Sequence, residues 1–378
     1  MTGPSATMAA LRRTWGEFWA GFTDLSALSL WIMLAVFGGV SGLTVWLFSP
    51  EVMAGPMGAY VPRSGRDADA FALIEALRMR ADRGRAPAVV FLGSSTVAQM
   101  IAEGQRLDEG LDEGLDQGLS GAIARDWDLR ILATPLQSPL DQLRLLETAL
   151  ADRPADAAPA IVVIGMGLTR VGWTPARMRD SDKASRIPLA SSWADAELAS
   201  LGAAPSPPLP VWAVEHRDFV ALNAPKSLLR LGLDRPARRD ADVYARGPAP
   251  GEKQIEALGT SITAGMAERD GFHSLSERIV QRLQAQPGVT VVFVEEPLSP
   301  AFLQDPAIAA AAAQFRDEVT ALAARLDVPF WPAVSEAALT PADYFDVLHI
   351  REGEPQRACQ DRILAHLVPL VRQLEDAP

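Results

Sequence analysis

The sequence predicts an α/β domain built on a mainly parallel sheet with helices on both faces, preceded by a single N-terminal membrane-spanning helix. Three observations carry that prediction. Apolar strand segments at 88–92, 129–134, 160–165 and 289–294 alternate with helical segments, which is the pattern of βαβ units and of strands buried on both faces. A run of 24 residues, Leu25 to Phe48, carries no charge and is long enough to cross a hydrocarbon core of about 30 Å at 1.5 Å rise per residue. The stretch Ala88 to Met100 reads as strand, turn at Gly93 and helix, with Ser94, Ser95 and Thr96 at the bend.

Taken in order, residues 1–24 form a short cytoplasmic segment and residues 25–48 the span, with Trp31 and Trp46 near its ends as interfacial anchors. The apolar run exceeds the ~7–15 residues of a secretory signal core, and no small-x-small cleavage site follows it. Residues 49–85 read as a tether, irregular around Pro50, Pro56 and Pro62 and amphipathic from Asp67 to Arg83. The globular domain spans 86–378. After the first strand, the spacing from Ala98 to Ile123 is helical. It contains the tandem Leu-Asp-Glu-Gly repeat, which lacks the register of a calcium loop and reads as a solvated expansion. A turn at Pro135 to Pro139 leads into an amphipathic helix, Leu140 to Leu150, and Ala160 to Gly165 is an all-apolar strand.

From Thr169 to Gly251 the alternation breaks down into a proline-rich inserted lobe holding Trp173, Trp193 and Trp212. Glu252 to Ala285 is helical, and its Gly259-Thr260-Ser261 has no strand before it, so Ser261 reads as a cap or turn residue. The strand Val289 to Val294 ends in Glu295-Glu296-Pro297. An alanine-rich helix, Pro306 to Leu326, a short strand at Phe330 to Pro332 and a closing helix, Pro355 to Leu374, complete the chain.

Composition excludes several classes of function. A formal charge of −12 and a pI near 4.9 argue against a nucleic-acid partner, which needs a basic face. One cysteine, Cys359, rules out an intramolecular disulfide and a thiolate metal cluster, and the four histidines are scattered; neither a metal nor a cofactor is expected. A serine after a buried parallel strand faces the crevice where open α/β sheets bind ligands, and the N-terminus of the next helix supplies free backbone N–H groups there. Just before the closing helix stands Asp346-Val347-Leu348-His349, where a carboxylate can hold one imidazole nitrogen while the other takes a proton from a serine elsewhere in the fold. A serine at the bend, Ser94 or Ser95, with His349 and Asp346, thus offers a candidate nucleophile, base and orienting acid.

The early Gly-Ser-Ser block at 93–95, the βαβ body and the late Asp-x-x-His at 346–349 together resemble the SGNH/GDSL hydrolase superfamily, which implies a three-layer α/β/α sandwich. The resemblance covers the chain from about Ala86 onward, apart from the lobe. It carries the family's nucleophile over to Ser95, with Ser94 at the position of the family's Asp, the base to His349 and the acid to Asp346. The family's second block falls on the glycine-free turn Pro135 to Pro139, and its Gly-x-Asn-Asp block falls on Gly165-Met166-Gly167-Leu168, which has no Asn. Gly93, Ser138, Gly165, Gly167 and Arg170 are the candidate oxyanion or substrate-binding residues. A missing oxyanion donor costs roughly 3–4 kcal/mol of transition-state stabilisation.

With one membrane anchor and a Gly-Ser-Ser first block, the chain looks most like the membrane-anchored, acyl-transferring branch. That branch includes the SGNH-like proteins of alginate and cellulose O-acetylation and of teichoic-acid D-alanylation. The resemblance implies an acyl-Ser95 intermediate, a membrane-bound O-acyltransferase (MBOAT) as partner, a cell-surface polysaccharide as acceptor, and a location on the bacterial inner membrane with the catalytic domain in the periplasm. The alternative is a catalytically weak glycan-binding or scaffold subunit of an envelope acylation or secretion complex.

Overall fold

The computed structural model describes residues 27–47, 68–101, 127–174 without 136, 191–202 and 252–376, with short pieces between 49 and 60, at 176–178 and between 228 and 234. The expected cytoplasmic segment, most of the irregular tether, the Leu-Asp-Glu-Gly repeat and most of the inserted lobe lie outside the described residues. The chain divides into two units, Met1–Ser49 and Pro50–Pro378.

In the first unit the uncharged run forms helix α1 (Ala27–Leu47), 21 residues long. Trp31, Ile32, Leu34, Val36 and Trp46 on it are exposed. Side chains 27, 28, 37, 40, 41, 44, 45 and 47 fall outside the description, and among the described residues no helix is long and apolar enough to cross a membrane. The span expected over 25–48 is therefore unsupported by the structure.

The second unit is built on five parallel strands: β1 (Ala88–Leu92), β2 (Asp128–Ile131), β3 (Ala160–Met166), β4 (Val289–Glu295) and β5 (Phe330–Trp331). Their order is β2-β1-β3-β4-β5, and every neighbouring pair is parallel. Valine, isoleucine and phenylalanine fill β1, β3 and β4 because branched and aromatic side chains pack well on a pleat covered from both sides. All five residues of β1 and all seven of β3 are buried.

Period-two alternation splits these side chains between two layers. Val89, Phe91, Ile161, Val163, Val292 and Val294 share one cluster with Val97, Met100, Cys359, Ile363 and Leu367. The helices α3 (Ser95–Ile101) and α10 (Glu354–Glu375) form that layer, together with the short helix α9 (Ala333–Ala337). Helices α2 (Ala68–Asp82), α4 (Pro139–Leu150) and α7 (Arg269–Gln284) pack together on the other face. Each fully buried Val, Leu, Ile or Phe in such layers contributes about 1.5–3 kcal/mol.

Several expectations are revised here. Helix α2, read as part of a tether, buries Ala72, Leu73, Ile74, Ala76 and Leu77 against the body, so the globular unit is under way by residue 68. The helix expected over 252–285 is two helices, α6 (Glu252–Ala267) and α7, separated at Glu268. Ser261 lies inside α6 rather than at a cap or turn. Gly265 lets α6 approach the 3-10 turn Leu168–Gly172, since a Cβ there would stand 2.8 Å from the backbone of Val171 and Gly172. The long helix α8 (Pro306–Leu326) matches its expected bounds: the Asp305 side chain accepts from the Ala307 and Ile308 amides, with Pro306 in the first turn. Helix α5 (Ser192–Ser200) is the largest described piece of the lobe.

The strand order fixes where chemistry belongs. From β1 the chain moves to β2 on one side and then to β3 on the other, so the carboxyl ends of β1 and β3 flank a topological switch point. Ser95 follows β1, and Gly167 follows β3.

Candidate active site

Two elements far apart in the chain meet at that point. The first is the turn from β1 into α3, which ends with Ser95 in the first helical residue. The second is the segment 344–350, closed by an antiparallel bridge between buried Tyr344 and Ile350 and by the Phe345 amide donating to the His349 carbonyl at 2.8 Å. The Ser299 amide, in the loop after β4, donates to the Val347 carbonyl at 2.9 Å and ties this segment to the sheet.

Within it, Asp346 Oδ1 accepts from the Leu348 and His349 amides, each at 2.7 Å. Asp346 Oδ2 stands 2.7 Å from His349 Nδ1, and His349 Nε2 stands 2.8 Å from Ser95 Oγ. The three side chains predicted from sequence form one hydrogen-bonded chain from acid to base to hydroxyl. Both Asp346 and His349 are partly open to solvent, at 22% and 17% side-chain exposure. Partial burial pushes the Asp346 carboxyl up, but the His349 ring and the two amides outweigh it and hold the group below the ordinary carboxylate range. With the ring proton on Nδ1, His349 donates to Asp346 Oδ2 and its Nε2 accepts from the Ser95 hydroxyl.

The other predicted site residues serve different purposes. Ser138 is the N-cap of α4: its hydroxyl donates to Asp141 Oδ2 at 2.7 Å and accepts from the Asp141 amide, so it is engaged in a capping box rather than offered to a ligand. Gly93, Gly165 and Gly167 are close-approach glycines. A Cβ at Gly93 would lie 2.3 Å from Val97 Cγ2, one at Gly165 would lie 2.5 Å from Glu296 Oε1, and one at Gly167 would lie 2.6 Å from Glu296 Oε2. Their missing side chains make room for Val97 and Glu296. Arg170 is buried, with its guanidinium toward Glu296 at 3.5 Å, and burial, offset by Glu296, lowers its pKa. Its described contact is thus with an interior carboxyl group rather than with solvent. The Ser95 amide, in the first turn of α3, belongs to the set that helices leave without an intrahelical acceptor.

Sequence reasoning missed Glu296, Thr96 and Gln137. Glu296 Oε2 accepts from the Ser94 and Thr96 hydroxyls at 3.0 and 2.9 Å. Gln137 Oε1 accepts from the Gly93 amide at 3.3 Å while its Nε2 donates to the Leu132 carbonyl at 2.6 Å, joining the β1 turn to the segment after β2. One signal for Glu296 was present: two carboxyl residues directly end an apolar strand, at the edge where such sheets bind ligands. Among the described residues no group of three or more His, Cys, Asp and Glu stands together as a metal site.

Comparison with known proteins adds little to this geometry. No family model and no curated protein matches the chain. One solved structure it is similar to is phospholipase A1 from Streptomyces albidoflavus NA297, at 12% identity and a TM-score of 0.38, covering 76% of this chain and 99% of that one. A likeness that distant decides neither family nor substrate.

Proposed function

We propose that this chain is a serine acyltransferase or esterase of SGNH-like type, working through an acyl-Ser95 intermediate. The observation that supports it is the continuous chain Ser95 Oγ, His349 Nε2, His349 Nδ1, Asp346 Oδ2, with contacts of 2.8 and 2.7 Å. His349 takes the hydroxyl proton as Ser95 attacks an acyl carbonyl, and the tetrahedral oxyanion lies toward the Ser95 amide. The same imidazolium then protonates the leaving group. An incoming hydroxyl, deprotonated by His349, releases the acyl group in the second half. A sugar hydroxyl as acceptor makes the protein a transferase, and water makes it an esterase.

The finer reading is a membrane-anchored, extracytoplasmic protein that adds or removes an acyl group such as acetyl on a cell-surface polysaccharide, with an MBOAT-type protein as donor-side partner. It rests on the early and late sequence blocks and on α1, whose exposed Trp31, Ile32, Leu34 and Val36 suit contact with lipid or with a partner helix. A catalytically weak scaffold is the second reading. One observation favours it: Gly165 and Gly167 face the Glu296 carboxyl group, so β3 contributes room for an acid where an acyl-transfer site would place a donor.

Intact-mass analysis of the full-length protein in detergent, after exposure to activated acetyl and longer acyl esters, tests the proposal. The expected result is a single acyl adduct that is absent in Ser95→Ala and forms at least a hundredfold more slowly in His349→Ala. A folded protein that takes up no acyl group from any donor, with or without membranes holding an O-acyltransferase, leaves the scaffold reading standing. Flotation with vesicles, compared with a variant lacking residues 1–48, tests the anchor separately.

A further inference from the structure

One carboxyl group stands at the site without a part in the triad. Glu296 is the first residue beyond β4, and its side chain is 1% exposed. Its Oε2 is shared by the hydroxyls of Ser94 and Thr96, the residues immediately before and after Ser95. Those hydroxyls also touch each other, 2.5 Å apart, and the Thr96 amide donates to Ser94 Oγ at 3.3 Å. Its Oε1 faces Arg170 at 3.5 Å. Glycines at the ends of β1 and β3 open the hollow that the carboxyl group fills.

We propose that Glu296 is a positioning residue for the nucleophile, clamping Ser94 and Thr96 so that the turn between them holds the Ser95 hydroxyl against His349. This rests on the serine reading above and extends it to a residue outside the triad. The physical need is clear from α3, which has only seven residues, too few to be rigid by its own hydrogen bonds. The Ser95–His349 contact joins segments 254 positions apart, and a displacement of about 1 Å at a reacting atom lowers rate by about a hundredfold. A role limited to neutralising buried Arg170 does not explain the pattern. The Arg170 contact is the longest of the set, and both hydroxyl contacts lie on the oxygen turned toward the nucleophile's neighbours.

The test uses full-length protein and a fluorophosphonate probe, measuring both the number of titratable sites and the second-order rate constant per site. In Glu296→Gln the site number stays at the wild-type value and the rate constant falls about 10- to 100-fold. Ser94→Ala and Thr96→Val each lower it by a smaller factor. Combined with Glu296→Gln, they add less than the product of the separate effects, since all three disturb one cluster. Fewer sites reacting at the wild-type rate constant, or strictly multiplicative effects, overturns the proposal. If Glu296→Gln does not fold, Ser94→Ala and Thr96→Val carry the test.

A second readout does not depend on activity. The nitrogen-15 resonance of His349 Nε2, assigned by its loss in His349→Gln, reports the hydrogen bond to Ser95. In Glu296→Gln and in Thr96→Val it moves toward its position in Ser95→Ala. A wild-type protein that never labels removes the serine reading, and the ring resonance then decides the clamp alone: an unmoved signal in these variants refutes it.

Discussion

The substitution Asp346→Asn isolates what the carboxylate does for the imidazole. In the wild type, Oδ1 is committed to the Leu348 and His349 amides at 2.7 Å each, so it keeps its place in the variant, where it must remain an acceptor. The atom at the Oδ2 position then becomes an NH2 group, 2.7 Å from His349 Nδ1. Two donors cannot face each other, so the ring changes tautomer, with its proton on Nε2 and a lone pair on Nδ1. Nε2, 2.8 Å from Ser95 Oγ, can then no longer accept the serine proton. Loss of the base in its working tautomer costs about three to four powers of ten in acylation rate, about 4–5.5 kcal/mol at 1.36 kcal/mol per tenfold. The fold changes little, because the two amide contacts survive. The assay is the second-order rate of Ser95 phosphonylation, followed by intact mass and paired with a thermal melt. An Asp346→Asn protein that melts near the wild type and labels within threefold of its rate refutes the orientation argument.

Three further outcomes follow from the geometry. Gly167→Ala places a Cβ 2.6 Å from Glu296 Oε2 and 2.8 Å from its Cβ, so it destabilises by about 1–3 kcal/mol in urea unfolding. The Asp346 carboxyl is held below its unfolded value by His349 and two amides despite burial. Its contribution is therefore complete above the unfolded pKa of about 3.9 and is lost as pH falls through the lower folded value. The stability gap between wild type and Asp346→Ala, read by urea titration, closes as pH falls below about 4. Cys359 is buried in the layer beneath the sheet, which, with Glu295 nearby, pushes its thiol up to about 12. Iodoacetamide at pH 8 leaves it unmodified in the native protein and labels it once urea unfolds the chain.

The local signals that the sequence carries are those written in neighbouring residues. Continuous apolar strands, the amphipathic helix after the Pro135 to Pro139 turn, and the alanine-rich helix from Pro306 each depend on residues within a few positions, and each element stands close to its expected bounds. Asp346-x-x-His349 is legible for the same reason, since its carboxylate, amides and ring lie within four residues. The helix Ala68–Asp82 was misread because amphipathic spacing looks the same on a stalk as on a body, and only burial against α4 separates the two. What the three glycines make room for was not legible, because a missing side chain does not say what occupies its place.

What only the tertiary structure decides is which distant groups meet. Placing β3 beside β1, and β4 beside β3, brings Glu296 across about two hundred positions onto the hydroxyls flanking Ser95 and turns Arg170 inward to face it. The sequence by itself offered Ser95, His349 and Asp346 as candidates in readable local settings. Their 2.8 Å juncture, and the acid beneath the nucleophile turn, arise from sheet order, which depends on long-range pairing that no local pattern encodes.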